Sequence, residues 1–306
     1  MSTIPAAERI AAVAFCADQY MEAPLHVAAS SLLRNLHADY AARFYFLLTG
    51  FSQAAIARLR RTLNATGRAY TMKMLETQDT GIFRGFRPLH GNFSTYYRLL
   101  LPELVQEERL LYLDADMRIE LDVSPLFELE MGSKATGFVV SGTVSSALDG
   151  TFHVSIGRVA EAPAFNAGVM LFNLPEWRRQ DCSARTFAFG RKYSTELISH
   201  DQSILNALFA ENCLRLDPQY NVPVLGTTAP EAIPAKGVFH FVGNPKPWDI
   251  GGRLLLPHAR AWFDDLRKTA IPPLQRISWL NRTAWARIPG ILGGYRRILR
   301  NKLAQD

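Results

Sequence analysis

Asp114 and Asp116 stand one residue apart at the end of an apolar run, within Arg109–Glu120, RLLYLDADMRIE. Such a run reads as a buried strand. Open α/β sheets bind ligands outside the carboxyl ends of their strands. Carboxylates at i and i+2 of an extended segment point to the same side. This pair, with Ala115 between, can share a hard divalent cation, and that cation can hold a diphosphate. The chemistry implied is the departure of a charged leaving group from a nucleotide site. The plainer alternative is a solvated strand end, because aspartates at this spacing are frequent in turns. The LLYL run in front of the pair favours the functional reading.

A second segment, His240–Asp249, reads HFVGNPKPWD. Gly243, Pro245 and Pro247 force an irregular loop after a short apolar strand. Glycine lets backbone approach a phosphate, Lys246 can neutralise it, and the His240 imidazole can be a third metal ligand. A histidine ending an apolar strand is otherwise a packed side chain. Asn166, in FNAGV, is either an amide set against sugar hydroxyls or part of a strand edge with a bulge at Gly168. Asp201 and Gln202 open an apolar helix, where Asp201 alone would be an N-cap.

The elements that must position these groups alternate. Strands are predicted over Ile10–Cys16, Arg43–Leu48 and Ala69–Leu75, and before the aspartates. Helices are predicted over Ala23–Leu36, from a Ser52 cap to about Leu63, and over Ser94–Val105. This order implies right-handed crossovers and a mainly parallel sheet. Ser124-Pro125 reads as a helix cap with proline at the first helical position. Further on, Phe138–Val144, Phe165–Leu174, Cys213–Leu216 and Val238–Val242 are strand-like, and Trp177–Tyr193 and Gln202–Ala210 helical. The sequence contains no internal repeat and no low-complexity linker.

The 306 residues suit one large α/β domain or two modest ones. No stretch approaches the ~20 apolar residues of a membrane span, and MSTIPAAERI lacks the basic region of a signal peptide. Cys16, Cys182 and Cys213 are far apart and lack metal-ligand spacing, so buried free thiols in a reducing compartment are expected. From Arg267 onward fall nine of the 34 Lys and Arg but one of the 28 Asp and Glu, leaving a balance of −2 before it. The basicity belongs to the tail, which argues against a nucleic-acid groove across the fold. Arg276–Lys302 alternates Arg and Lys with Ile, Leu, Trp279, Trp285 and Tyr295. It reads as an interfacial segment for an anionic membrane surface or as a basic helix packed on the body. Pro289, Gly290, Gly293 and Gly294 predict that it breaks into two short pieces.

Taken in order, AFCADQY, STYYRLLLPELV, YLDAD, FNAGVMLFNLPEWR, HDQSILNALF and HFVGNPKPWD resemble glycosyltransferase family 8, the group containing glycogenin and the bacterial lipopolysaccharide galactosyl- and glucosyltransferases. The resemblance covers roughly Ile10–Trp248. It implies a GT-A fold, α/β with a Rossmann-like mainly parallel sheet and a smaller acceptor-side region. That domain would occupy 1–268, followed by the basic aromatic tail, 269–306. By resemblance, Asp18 contacts uracil, with Ala17 and Tyr20 beside it, although Gln19 does not reproduce the Asp-Asn pair of some members. Arg98 matches an arginine near the diphosphate and sugar. Asp114, Asp116 and His240 match three ligands of Mn²⁺ (or Mg²⁺). Gly243 and Lys246 match the phosphate loop, and Asn166, Asp201 and Gln202 match residues around the transferred sugar.

The resemblance further implies a metal-dependent, retaining transfer of glucose or galactose from a UDP-sugar to a saccharide or glycolipid acceptor, in lipopolysaccharide or another cell-surface glycan. The acceptor side is expected within 148–164 and 225–236. The protein would work in the cytoplasm, peripheral on the inner face of the membrane. A haloacid-dehalogenase-like phosphatase also places D-x-D after a strand, but early in its domain and before small residues and Thr; here Met117 and Arg118 follow. A sugar nucleotidyltransferase expects an early glycine-rich basic loop, which AFCADQYMEAP lacks. A catalytically silent UDP-sugar or glycan-binding protein is the third alternative.

Overall fold

The computed structural model describes residues 9–77, 80–89, 92–276, 278–280 and 282–303. Residues 1–8, read above as lacking a signal peptide, and Asp306, the single acid of the tail, lie outside them.

Strand β1 (Arg9–Asp18) is apolar almost end to end, as a strand buried on both faces must be. Helix α1 (Glu22–Asn35) follows, then β2 (Tyr40–Thr49) and α2 (Gln53–Asn64). Ser52 caps α2, its side chain accepting from the Ala55 amide, as the sequence predicts. Strand β3 (Tyr70–Leu75) completes the first unit. Ser94–Leu100 winds as a 3₁₀ helix before one α turn, α3 (Leu101–Leu104), where a single helix was expected. Strands β4 (Arg109–Leu113) and β5 (Met117–Ile119) flank the two aspartates.

The second half is more finely divided than its sequence pattern. Phe138–Val144 is not one strand: β6 (Thr136–Phe138) joins the main sheet, and β7 (Val140–Thr143) leaves it for a two-stranded ribbon. Beyond α4 (Gly150–Ser155), the run Phe165–Leu174 splits into β8 (Pro163–Phe165) and β9 (Val169–Asn173). Trp177–Tyr193 is two helices, α5 (Leu174–Arg179) and α6 (Cys182–Lys192), because Asp181 takes a left-handed conformation (φ 50°) between them. Helix α7 (Asp201–Phe209) precedes β10 (Leu214–Arg215), β11 (Val222–Pro223) and β12 (Val238–His240). Helices α8 (Gly252–Leu255), α9 (Ala259–Arg267) and α10 (Arg282–Leu303) close the chain.

Ser124 does not cap a helix. The turn over Ser124–Glu128 is 3₁₀, and the Ser124 hydroxyl donates to Asp122. Asp122 also accepts from the Ser124 amide at 2.9 Å, so the carboxylate does the local work assigned to the serine. The tail does not break in two either. Pro289 sits inside α10, a helix of 22 residues. Burial of Ala284, Ile291 and Ile298 against the body holds the helix through its proline and glycines.

The main sheet runs β10-β6-β9-β4-β1-β2-β3. Its centre is parallel, with β1 between β2 and β4, and β9 is the reversed strand between β4 and β6. One face packs Phe15, Phe44 and Phe46 against α1 and α2; the other packs Tyr96, Phe172 and Trp177. A smaller sheet, β11-β12-β5, lies beside it. The three cysteines are buried free thiols, as expected.

Candidate active site

Two pairings build the site. Strand β4 ends at Leu113 next to Val169 of β9, and the Asp114 amide donates to the Gly168 carbonyl at 2.8 Å. The chain then turns and β5 pairs antiparallel with β12, placing His240 opposite Met117. The Phe241 amide donates to the Asp116 carbonyl, locking the strand ends together. Residues 126 positions apart in sequence thereby converge. One ligand atom each from Asp114, Asp116 and His240 lie within 4.8 Å of one another. His240 Nε2 is 3.2 Å from Asp116 Oδ1 and 3.8 Å from Asp114 Oδ2.

Gly168 makes room for the ring. A Cβ there would lie 2.3 Å from His240 Cε1. A bulge at Gly168 is one of the two sequence expectations for this segment; the use of the glycine is the close approach of imidazole to backbone.

The tautomer of His240 follows from a chain of amides behind it. Asn166 Nδ2 and the Ala167 amide both donate to Gln202 Oε1 at 3.1 Å. Asn166 Oδ1 accepts from the Gly168 amide and from Asn221 Nδ2. Asn221 therefore presents its oxygen to His240 Nδ1, at 3.1 Å. Nδ1 therefore donates, which leaves Nε2 as the ring nitrogen that faces the carboxylates. Asn221 was not among the predicted residues. Its only sequence trace is a polar residue before the apolar VPVL, too common to be a signal.

Arg98 and Lys246 set the electrostatics. Arg98 is buried and meets Asp114 Oδ1 and Asp201 Oδ2, each at 2.8 Å, with its guanidinium 4.4 Å from the Tyr112 ring centre. Asp201 is buried as well and accepts from the Thr95 hydroxyl; it is the first residue of α7, not its N-cap, a place taken by His200. Desolvation raises its carboxyl above the ordinary value, although Arg98 pulls the other way. Lys246 Nζ donates to Asp116 Oδ2 at 2.7 Å. Desolvation pushes the Asp116 carboxyl up, but Lys246 and His240 outweigh it and hold the group far below the usual carboxylate range. Gly243 adopts φ +71°, the left-handed region, and the Lys246 amide donates to Asp249 Oδ2 at 2.7 Å.

A cleft of about 720 Å³ opens in front of this cluster. Ala17, Asp18 and Tyr20 line it from the end of β1, and Arg98, Ala115 and Gly243 from behind and beside the aspartates. Asp114, Asp116 and Lys246 also reach it. Asp18 accepts from the Tyr20 amide and from Asn92 Nδ2, and Asn92 is a further residue the sequence did not single out. Asn166, Asp201, Gln202 and His240 stand behind the cleft wall, tied to it through the bonds above. The donor set fits a divalent cation: two carboxylates and an imidazole, whose ring is seated where a Cβ at Gly168 would collide with it.

A Rossmann-like sheet whose strand ends bring two aspartates against a histidine of the smaller sheet, beside a loop bearing Gly243 and Lys246, is the arrangement of a GT-A type sugar transferase. The chain belongs to glycosyltransferase family 8: the family described as "Glycosyl transferase family 8" matches residues 12–250. It is a hexosyltransferase by class. General stress protein A of Bacillus subtilis (strain 168) is 24% identical over 260 residues, 79% of this chain and 88% of that protein. Lipopolysaccharide glucosyltransferase WaaO of Escherichia coli (strain K12) is 27% identical over 166 residues, 51% of this chain and 49% of that one. Other relatives are longer, and the chain spans 57% of glycosyltransferase GlyE of Streptococcus pneumoniae. Among solved structures, galactosyltransferase LgtC with donor and acceptor sugar analogues bound superposes with a TM-score of 0.72 at 27% identity, over 85% of this chain and 97% of that one.

Proposed function

We propose that this enzyme transfers glucose or galactose from a UDP-sugar to a saccharide or glycolipid acceptor, with retention of anomeric configuration, in lipopolysaccharide or another cell-surface glycan. The observation that carries this reading is the meeting of Asp114, Asp116 and His240 beside Lys246 in the cleft. Mn²⁺, or Mg²⁺, would be held by those three side chains. When bound, it would stabilise charge on the departing diphosphate as a Lewis acid.

The remaining roles belong to the chain. Lys246 and the Gly243 loop supply positive potential where the leaving phosphate gathers charge. Asp18, with Ala17 and Tyr20, would receive the nucleobase. Arg98 holds Asp114 and Asp201 in register behind the donor. Asn166, Asp201 and Gln202, behind the cleft wall, would support the side of the site that receives the transferred sugar.

Retention by double displacement needs a nucleophile on the far face of the sugar. Gln202 is a poor one, since its oxygen already accepts from two donors. Asp201 is buried between Arg98 and Thr95. We therefore favour same-face attack. The acceptor oxygen bonds to the anomeric carbon as the bond to the phosphate oxygen breaks, and the leaving phosphate takes the acceptor proton.

The body, 1–268, would be the catalytic domain and the tail, 269–306, a membrane-surface segment on the cytoplasmic side. Trp279, in the turn before α10, and Trp285, Leu292, Leu299 and Leu303 on it are exposed, and Arg296, Arg297 and Arg300 are interleaved with the latter. That composition suits an anionic interface. No described helix is long and apolar enough to cross a membrane.

The test is slow hydrolysis of a panel of UDP-sugars with Mn²⁺ and with EDTA, reading released UDP. Manganese-dependent release from one UDP-hexose supports the reading and names the donor. Equal release in EDTA would remove the metal from the reaction. Tight UDP binding without release from any sugar would favour a binding-only protein, unless an acceptor restores turnover.

A further inference from the structure

Part of the cleft's lining comes from α10, through Ala286, Arg287, Gly290 and Ile291. This helix begins more than thirty residues past the family match, which ends at residue 250. We propose that α10 is a built part of the donor site and that Arg287 binds the diphosphate of the donor. The proposal rests on the UDP-sugar reading above and adds a donor-binding residue to it.

The helix is seated by specific contacts with the loop that follows His240. At Gly294 it approaches so closely that a Cβ would lie 2.2 Å from the Asn244 carbonyl oxygen, so no larger residue fits there. The Tyr295 hydroxyl donates to the Ile250 carbonyl. Ile298 fills the space over Gly226, where a Cβ would meet its Cδ1 at 2.0 Å. Arg287 meets Asp249 Oδ1 at 3.4 Å, while Oδ2 of the same carboxylate accepts from the Lys246 amide. Asp249 thus ties the helix to the loop that carries Lys246.

Charge points to the ligand. Among the described residues, Asp18, Asp114 and Asp116 line the cleft against Arg98, Lys246 and Arg287. Arg98 and Lys246 are engaged by carboxylates at 2.7–2.8 Å. Arg287 is held less closely, beyond the roughly 2.7–2.9 Å of a charge-assisted hydrogen bond, and its side chain is 38% exposed. Its planar fork of donors suits phosphate oxygens. Gly290 beside it is bare: a Cβ there would meet nothing within 4 Å, which leaves the width a nucleotide needs.

The experiment is calorimetric titration of the full chain with UDP and with uridine, in Mn²⁺, comparing wild type with Arg287→Ala, Gly290→Leu and Arg300→Ala. Arg300 is an exposed arginine on the same helix, and its removal costs the same unit of charge. The expected result is UDP binding weakened about 10- to 100-fold in Arg287→Ala, from loss of a charged hydrogen bond. Uridine binding should change little in that variant. Gly290→Leu should weaken UDP by filling the cleft, with the thermal midpoint kept, and Arg300→Ala should match wild type. If Arg287→Ala unfolds, Gly290→Leu decides. UDP binding unchanged in Gly290→Leu, or an equal loss in Arg300→Ala, would overturn the proposal. Wild type that binds no UDP at all would instead sink the UDP-sugar reading itself.

Discussion

Asn221 Oδ1 lies 3.1 Å from His240 Nδ1, and this contact turns the other ring nitrogen toward Asp116. The asparagine is not a ligand, yet it fixes both the ring and its tautomer. Asn221→Leu keeps a side chain of similar size and removes the acceptor. We expect Mn²⁺ affinity to fall about 10- to 100-fold, with the thermal midpoint of the metal-free protein changed far less. Competition against a chelating indicator dye reads the affinity directly. Unchanged affinity would mean that His240 is not a ligand or needs no orientation.

Asp116 faces both His240 and Lys246. Asp116→Asn keeps the shape and removes the charge. Loss of charge stabilisation worth several kcal/mol predicts a fall in turnover of roughly a thousandfold or more. Far-UV circular dichroism should be unaltered. Turnover within tenfold of wild type would place the metal elsewhere.

Gly168→Ala tests the closeness of the ring. The new methyl would collide with His240 Cε1 and Nδ1. Either the imidazole or the β9 backbone must shift, at a cost of about 1–3 kcal/mol. We expect a lower thermal midpoint and weaker Mn²⁺ binding together. Wild-type metal affinity in this variant would show that the ring position is not critical.

These three positions show what was legible in the sequence. The first α/β unit and the aspartate pair could be read because buried parallel strands leave unbroken apolar runs, and β1 and β4 are such runs. Convergence of His240 on Asp116 was accessible only through resemblance, since the β5–β12 pairing is three residues long and leaves no periodic trace. Asn221 was invisible because a single asparagine between strands carries no spacing. The divisions at Asp181 and between β8 and β9 were missed because the apolar pattern continues across both breaks. The tail was misread for the opposite reason. Its proline and glycines are local helix breakers, and tertiary packing on the body overrode them.

Arg118, buried beside β12, gives a stability prediction. It donates to Asp265 Oδ2 at 2.7 Å, and Asp265 also meets Arg34 at 2.8 Å and Lys268 at 3.0 Å. The carboxylate thus ties β5, next to the Asp114–Asp116–His240 cluster, to α1 and α9. Asp265→Ala leaves the buried Arg118 guanidinium with Glu120 as its remaining carboxylate. The expected cost is about 1–3 kcal/mol, that of a buried donor left unsatisfied, read as a shift of the urea midpoint. A change below about 0.5 kcal/mol would show that Glu120 alone satisfies Arg118.

His26 gives the pH dependence. It is fully buried in α1, with Nδ1 2.8 Å from the Thr62 hydroxyl, which in turn accepts from the Ala270 amide. Burial, aided by the charge of Arg58, lowers its pKa from 6.5 to about 3; Glu22 Oε1, bound to Arg58, is 4.0 Å from Nε2. Between those values the unfolded chain binds a proton that the folded protein refuses. The histidine's contribution is therefore intact above pH 6.5 and is lost as pH falls toward 3. At pH 4.5, two units below the unfolded value, the loss is about 2–3 kcal/mol. His26→Gln has no such titration. Urea unfolding of both proteins at pH 7 and 4.5 should show wild type losing that much more than the variant. Equal losses would mean that the imidazole is protonated in the folded state.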